Sequence, residues 1–386
     1  MVALGMLIAA GLFFLLAAHP FTTYPLSLRL FAARRDPPLT AAPDSPRPSV
    51  AICMSAFNEE AVIVAKVESL LAMVSAYGPA TLHIYVDGAA DRTAELLAPY
   101  CDRADIVVSS ERKGKTHGLN TLVDRSKGEL LLFTDANVTG DVSALERLAA
   151  VFADASVGCA TAQLSYTNND ESAASKISGT YWSIEERVKE IESRTIGVIG
   201  VDGAMFMLRR ALHRPPPGTL IDDLYLTLNV LIDGFRVIRV DEVLVHERNA
   251  TRMGEEFRRK ARIACQAVNV HRALWPRLRT LPPAQFYGYM SHRFVKWMMP
   301  FLILSGVLCS ISALTVIVPL VDLVLILALL ALLIGAGAWL RFGPAANLVS
   351  VTVNLAGVGL GVLQSLIGRQ TYTVWSPASS IRSGMG

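Results

Sequence analysis

Residues Glu129 to Asn137 read Glu-Leu-Leu-Leu-Phe-Thr-Asp-Ala-Asn, a short apolar run closed by an acid, a small residue and an amide. The run reads as a buried parallel strand. Ligands of an open α/β sheet gather at the carboxyl ends of its strands, where Asp135 and Asn137, at alternate positions, project oxygens from one face. A hard divalent cation such as Mg²⁺ takes few protein oxygens and keeps its other positions for water and phosphate. The stretch therefore suggests a metal-diphosphate site; the plainer reading is an Asp ending a strand and an Asn in a turn.

Other residues with chemical potential punctuate the chain. Asn58-Glu59-Glu60 opens a helix after a strand, and Asp87 precedes Gly88 at the end of another. Lys115 follows Arg112-Lys113-Gly114, where it either meets phosphate or is an ordinary loop lysine. Gly203 lies in Val201-Asp202-Gly203-Ala204, ahead of a short strand. Asp222-Asp223 begins a helix, a position where carboxylates also serve as caps. Arg258, Arg262 and Gln266 recur at a spacing of four on a basic helix over 255–273.

The elements needed to position these residues alternate. Strands are expected at 50–56, 81–86, 106–108, 129–134, 157–162 and 235–240, and helices follow the first four. This is an α/β pattern with a mostly parallel, doubly wound sheet. Ser175 to Thr195 reads as a long amphipathic helix packed on that sheet.

The 386-residue chain is 52% hydrophobic with a mean hydropathy of +0.40, so membrane spans are expected. A net charge of +3, without basic residues interleaved with aromatics, argues against a nucleic-acid partner. Cys53, Cys101, Cys159, Cys265 and Cys309 have no metal spacing and read as reduced core thiols of a cytosolic domain. The expected organisation is an anchor over 1–20, a proline-rich linker over 21–49 and a catalytic domain over 50–280. An interfacial amphipathic segment over 281–299, three spans over 300–368 and a tail over 369–386 follow. Arg29, Arg34 and Arg35 after the first span place the catalytic domain in the cytoplasm. Four full spans would then put the tail outside, so one apolar segment is expected to be re-entrant or interfacial.

Taken in order, these motifs resemble the membrane-bound family-2 glycosyltransferases, whose catalytic domain is of GT-A type. The resemblance implies Mg²⁺ or Mn²⁺ as cofactor, held by Asp135 and Asn137 where the family has Asp-x-Asp. It implies a nucleotide-sugar site at Asn58, Glu59, Asp87, Lys115, Asp135 and Gly203. It makes Asp223 the base that takes the acceptor's proton, beside Asp222, with Arg262 facing the diphosphate. Arg259-Lys260-Ala261-Arg262-Ile263 aligns with the Gln-x-x-Arg-Trp of processive members but keeps only its Arg. That departure favours single addition over polymer synthesis, and Arg258 and Arg259 read better as a positive-inside anchor. The implied partners are a nucleotide sugar, expected to be a UDP-sugar, a lipid-linked or growing glycan acceptor and the lipids of the inner membrane. A processive synthase and an inactive scaffold, the latter motivated by Asn137, are the alternatives.

Overall fold

The alternation expected from sequence is realised in a computed structural model that describes residues 1–34, 47–340, 342–368, 371–374 and 379–382. Arg35, most of the proline-rich linker, Arg341, Arg369, Gln370 and Trp375-Ser376-Pro377 lie outside the described residues. In chain order the elements begin with α1 (Val2–Ala18), α2 (Thr23–Leu28), β1 (Val50–Ala56), α3 (Ile63–Tyr77), β2 (Ala80–Asp87) and α4 (Thr93–Leu97). Next come β3 (Asp105–Ser109), α5 (Lys115–Arg125), β4 (Leu130–Thr134), β5 (Thr139–Gly140), α6 (Ala144–Ala150) and β6 (Val157–Tyr166). After these come α7 (Ala173–Ser193), β7 (Met205–Arg209), α8 (Asp222–Ile232), β8 (Arg236–Glu247) and α9 (Met253–Leu278). Then follow α10 (Pro283–Gly288), a π-helical turn (Tyr289–Phe294), α11 (Val295–Ile317), α12 (Leu320–Trp339), α13 (Gly343–Ile367) and α14 (Ser379–Arg382).

One sheet of order β3-β2-β1-β4-β7-β6-β8-β5 organises the domain. Strands β3, β2, β1 and β4 run parallel, as does the β6–β8 pair, whereas β7 opposes β4 and β6, and β5 opposes β8. The sheet is thus mixed but mostly parallel, in a GT-A fold. Its central strands are apolar throughout because both faces are covered. Ile52, Met54, Leu130 and Leu132 join Ile63, Val67 and Leu70 of α3 in one core, while Ala51, Cys53, Leu131 and Phe133 join Leu119 and Leu122 of α5 in the other. The chain runs outward from β1 to β2 and β3 and then crosses back to place β4 on the other side of β1, and this reversal of strand order opens a crevice at the carboxyl ends of the strands.

Strand β8 does not stop at Val240. Its pairing with β6 jumps from Ala162 opposite Val240 to Gln163 opposite Leu244, and the strand continues to Glu247 beyond this irregularity. Cys53, Cys159 and Cys265 are buried as expected, but Cys101 is exposed and Cys309 only partly covered, so the cysteines are not uniformly core thiols.

Four helices among the described residues are long and apolar enough to cross a membrane: Val2–Phe21, Pro283–Ile317, Leu320–Trp339 and Gly343–Ile367. Gly306 of α11 lets the Phe14 ring of α1 sit against the helix backbone, since a Cβ there would come within 2.8 Å of it. Gly357 and Gly361 of α13 likewise meet the backbone carbonyls of Phe257 and Ala261 in α9. Farther along, Ser365 donates to Asn269 Oδ1 at 2.7 Å. The second half of α13 therefore runs alongside α9. Within the stretch expected to be an interfacial amphipathic segment, charged side chains turn inward: Arg293 and Lys296 reach Glu185 at 3.0 and 2.8 Å, and His292 is fully buried.

Candidate active site

The crevice is a cavity of about 910 Å³ that extends from Phe57 and Asp87 at the strand ends to Asn354 and Val358 on α13. Asp87 closes β2 and is 2% exposed, with its carboxylate turned to the next loop. Its oxygens accept from the Lys113 amide at 2.7 Å and from the Gly114 amide at 3.0 Å. Gly114, at φ +95°, permits the sharp entry to α5. Asp87 thereby fixes the position of Lys115, the first residue of that helix. The Arg112 guanidinium in the same loop lies 3.5 Å from the centre of the Phe57 ring.

Lys115 extends across the crevice to Asp135 at 2.7 Å and Asp222 at 3.7 Å. Burial disfavours its charge, but Asp135 and Asp222 outweigh that and raise its pKa. Gly203 lies between these groups: a Cβ there would be 3.2 Å from Lys115 Nζ and 3.3 Å from Asp223 Oδ2. Its loop is fixed from behind, where Lys189 pairs with Asp202 at 2.7 Å. Asp222 and Asp223 occupy the first turn of α8, where the helix dipole favours negative charge. Burial, with Asp222 adjacent, pushes the Asp223 carboxyl up to about 7.

The turn after β4 is held at both ends by Lys66, whose buried ammonium donates to Thr134 Oγ1 at 3.0 Å and to the Val138 carbonyl at 2.6 Å. The Asn137 amide nitrogen donates to Glu247 Oε1 at 3.0 Å. Burial raises the Glu247 carboxyl to about 7, against the pull of Arg259 and with the help of Asp135. Arg262 donates to Gln266 Oε1 at 3.2 Å, and burial beside Arg259 brings its pKa down to about 10, so it is still cationic at neutral pH.

Asp135, Asn137 and Glu247 offer only oxygen donors to an open space, which suits a hard divalent cation completed by phosphate and water. Among the described residues no three His, Cys, Asp or Glu side chains form a closed metal cage. A cation here would depend on its substrate for part of its coordination.

Of the residues expected from sequence, Glu59, Asp87, Lys115, Asp135, Asn137, Gly203, Asp222, Asp223 and Arg262 line this cavity. Asn58 sits at φ +52° and gives its carboxamide oxygen to the Ala90 amide at 2.8 Å, bracing the loop after β2. Arg258 and Arg259, read as a positive-inside anchor, both line the cavity as well, and Arg259 reaches Tyr166 Oη at 3.2 Å and Glu256 at 3.3 Å. Sequence reasoning missed Glu247, and the apolar Val243-Leu244-Val245 before it was the available signal. It also missed Lys66, which looked like any helix lysine. Tyr372 was missed too; its carbonyl accepts from Gln266 Nε2 at 3.2 Å.

Residues 51–214 match the model of the glycosyl transferase family 2. This stretch, from β1 to just past β7, is similar to that family. A mannosyltransferase from Pyrobaculum calidifontis, PcManGT, solved in complex with GDP-Man and Mn²⁺, shares the fold with a TM-score of 0.71 at 18% identity, over 95% of this chain and 100% of that one. Relatives named N-acetylglucosaminyltransferase include one from Neorhizobium galegae, 27% identical over 56% of this chain and 54% of its own length. One from Rhizobium leguminosarum bv. viciae is 26% identical over 62% of this chain and 61% of its own length. One from Rhizobium meliloti (strain 1021) is 25% identical over 76% of this chain and 74% of its own length. The chain thus spans little more than half the length of the first two relatives.

Proposed function

We propose that the protein is a family 2 glycosyltransferase that moves one sugar, with inversion, from a nucleotide-sugar donor to a lipid-linked or growing glycan acceptor at the cytoplasmic face of the inner membrane. The observation that carries the reading is the convergence on Gly203 of Lys115, Asp135 and Asp223, which sets phosphate-binding groups and a base around one space. In this account Asp87, Arg112 and Phe57 receive the nucleoside, and Lys115 and Arg262 face the diphosphate. Asp135, Asn137 and their neighbours would hold Mg²⁺ or Mn²⁺, which when bound neutralises diphosphate charge. The acceptor hydroxyl attacks the anomeric carbon from the face opposite the diphosphate, Asp223 takes its proton, and the carbon–oxygen bond to the diphosphate breaks. Arg262 and Lys115 meet the charge that develops on the departing oxygen.

The membrane end of the cavity supports a lipid-linked acceptor, because Asn354 and Val358 of an apolar helix form part of its wall. The relatives' name favours an N-acetylglucosamine donor carried on UDP, and exopolysaccharide or envelope glycan synthesis is the natural setting. Thr373 of the tail abuts Gly114, which supports a tail on the same side of the membrane as the catalytic domain. That arrangement has α11 and α12 crossing while α13 lies at the interface against α9.

The test is nucleoside diphosphate release by the full chain in lipid, with membrane extract as acceptor and UDP-N-acetylglucosamine, UDP-glucose and GDP-mannose as donors. Turnover of a UDP-sugar with Mg²⁺ or Mn²⁺ that EDTA abolishes is expected. Binding of a donor without turnover under any condition would favour the scaffold alternative.

A further inference from the structure

The Asp135-Ala136-Asn137 turn carries one formal charge where the family's Asp-x-Asp carries two. We infer that Glu247 is a ligand of the divalent cation and supplies the carboxylate that Asn137 lacks. The inference rests on the metal-dependent transfer proposed above and extends it to a residue outside the turn.

Register places Glu247 there. Strand β5 begins two residues after Asn137 and pairs antiparallel with β8, Thr139 opposite His246, so the next step along the ladder brings Glu247 to the turn. On the other side β6 holds Glu247 opposite Tyr166, and the Thr167 amide donates to the Glu247 carbonyl at 3.0 Å. A strand end held on both edges is a rigid platform for a ligand.

The side chain points the same way. Asn137 donates its amide nitrogen to Glu247 Oε1 at 3.0 Å, which leaves the Asn137 carbonyl oxygen available as a donor to a cation. Both residues line the cavity with Asp135. The rival role for Glu247 is to neutralise Arg259. Arg259 acts on Glu247 electrostatically, but its ion pair is with Glu256 at 3.3 Å, and among the described residues no Lys, Arg or His side chain forms an ion pair with Glu247. A partly buried carboxylate that feels a second one, Asp135, and has no ion-pair partner among the described residues is the environment that a bound cation relieves.

The proposal predicts that the missing charge can be moved. Mn²⁺ affinity is measured by electron paramagnetic resonance of the free ion, on the purified full chain in lipid with saturating UDP. The parent is compared with Glu247→Gln, Asn137→Asp and the double variant, and UDP binding without metal serves as the control for folding. Glu247→Gln is expected to weaken Mn²⁺ by at least about tenfold. Asn137→Asp in the Glu247→Gln background is expected to recover most of that loss, because the carboxylate is returned to the turn. Unchanged Mn²⁺ affinity in Glu247→Gln, or no recovery in the double variant, overturns the ligand role while leaving the transferase reading intact. A parent that turns over no donor and holds neither UDP nor Mn²⁺ overturns both.

Discussion

Lys115 Nζ lies 2.7 Å from Asp135 Oδ1, so a single side chain at the start of α5 ties together the ends of two neighbouring connections of the sheet. The same ammonium reaches Asp222 at 3.7 Å. In the proposed mechanism it exchanges part of this pairing for donor phosphate. Replacing it with Met leaves two carboxylates facing each other and removes a charged hydrogen bond, an effect on the order of 1.5–3 kcal/mol. Donor affinity of Lys115→Met, measured by calorimetry, is expected to fall by about 10- to 100-fold. Donor affinity within a factor of about two of the parent's would remove Lys115 from the phosphate site.

In the proposed mechanism Asp223 links catalysis to stability through its raised pKa of about 7. A carboxyl that binds its proton more tightly when folded makes stability fall as pH rises from the ordinary carboxylate range toward 7, with the full penalty present above it. Asp223→Asn removes the buried charge. Its thermal midpoint is expected to exceed the parent's at pH 8 and to converge with it near pH 4. An equal or lower midpoint for the variant at pH 8 would show that the carboxylate is not held at a cost to the fold.

Glu192 joins the amino-terminal segment to the base of α11. Its buried carboxylate accepts from Tyr24 Oη at 2.6 Å and the Ile199 amide at 3.0 Å, and it pairs with His292 Nδ1 at 2.7 Å. Truncation leaves three buried polar groups without their partner, a loss of roughly 3–5 kcal/mol. Glu192→Ala is expected to unfold at markedly lower temperature in lipid, whereas the exposed Glu95→Ala serves as a neutral control. Equal unfolding temperatures for the two variants would refute this account of the junction.

The tail supplies a topological prediction. The amide of Thr251 donates to Ser380 Oγ at 3.1 Å, and Gln266 donates to the Tyr372 carbonyl, so both described pieces of the tail rest on the catalytic domain. A carboxyl-terminal reporter is expected to read the same side of the membrane as one inserted in a catalytic-domain loop. Opposite readings would require α13 to cross and would contradict the interfacial placement.

Much of this site was legible because its residues follow strands or open helices. Asp87, Asp135 and Asp223 each stand at such a boundary, where local pattern and topology agree. Glu247 was harder to read: the expected strand ended at Val240, and it is the ladders to β6 and β5, formed by distant stretches of chain, that carry β8 on to it. Lys66 was hidden for a different reason: a lysine in a helix pattern looks solvated until the fold buries it. Arg293 and Lys296 gave the pattern of a membrane-surface helix, but their partner Glu185 is more than a hundred residues away, beyond the reach of local periodicity. The π-helical turn that bears His292 and Arg293 has no sequence signature comparable to a cap or a turn motif.

The central claim is that Asp223 removes the acceptor's proton. Its most direct test is the turnover number of the full chain in lipid at saturating donor, for the parent and Asp223→Asn, with donor affinity measured on both. The account predicts a fall of at least about a hundredfold with donor affinity nearly unchanged, and a parent rate that rises with pH through about 7. An Asp223→Asn variant that retains turnover within about threefold of the parent would contradict it.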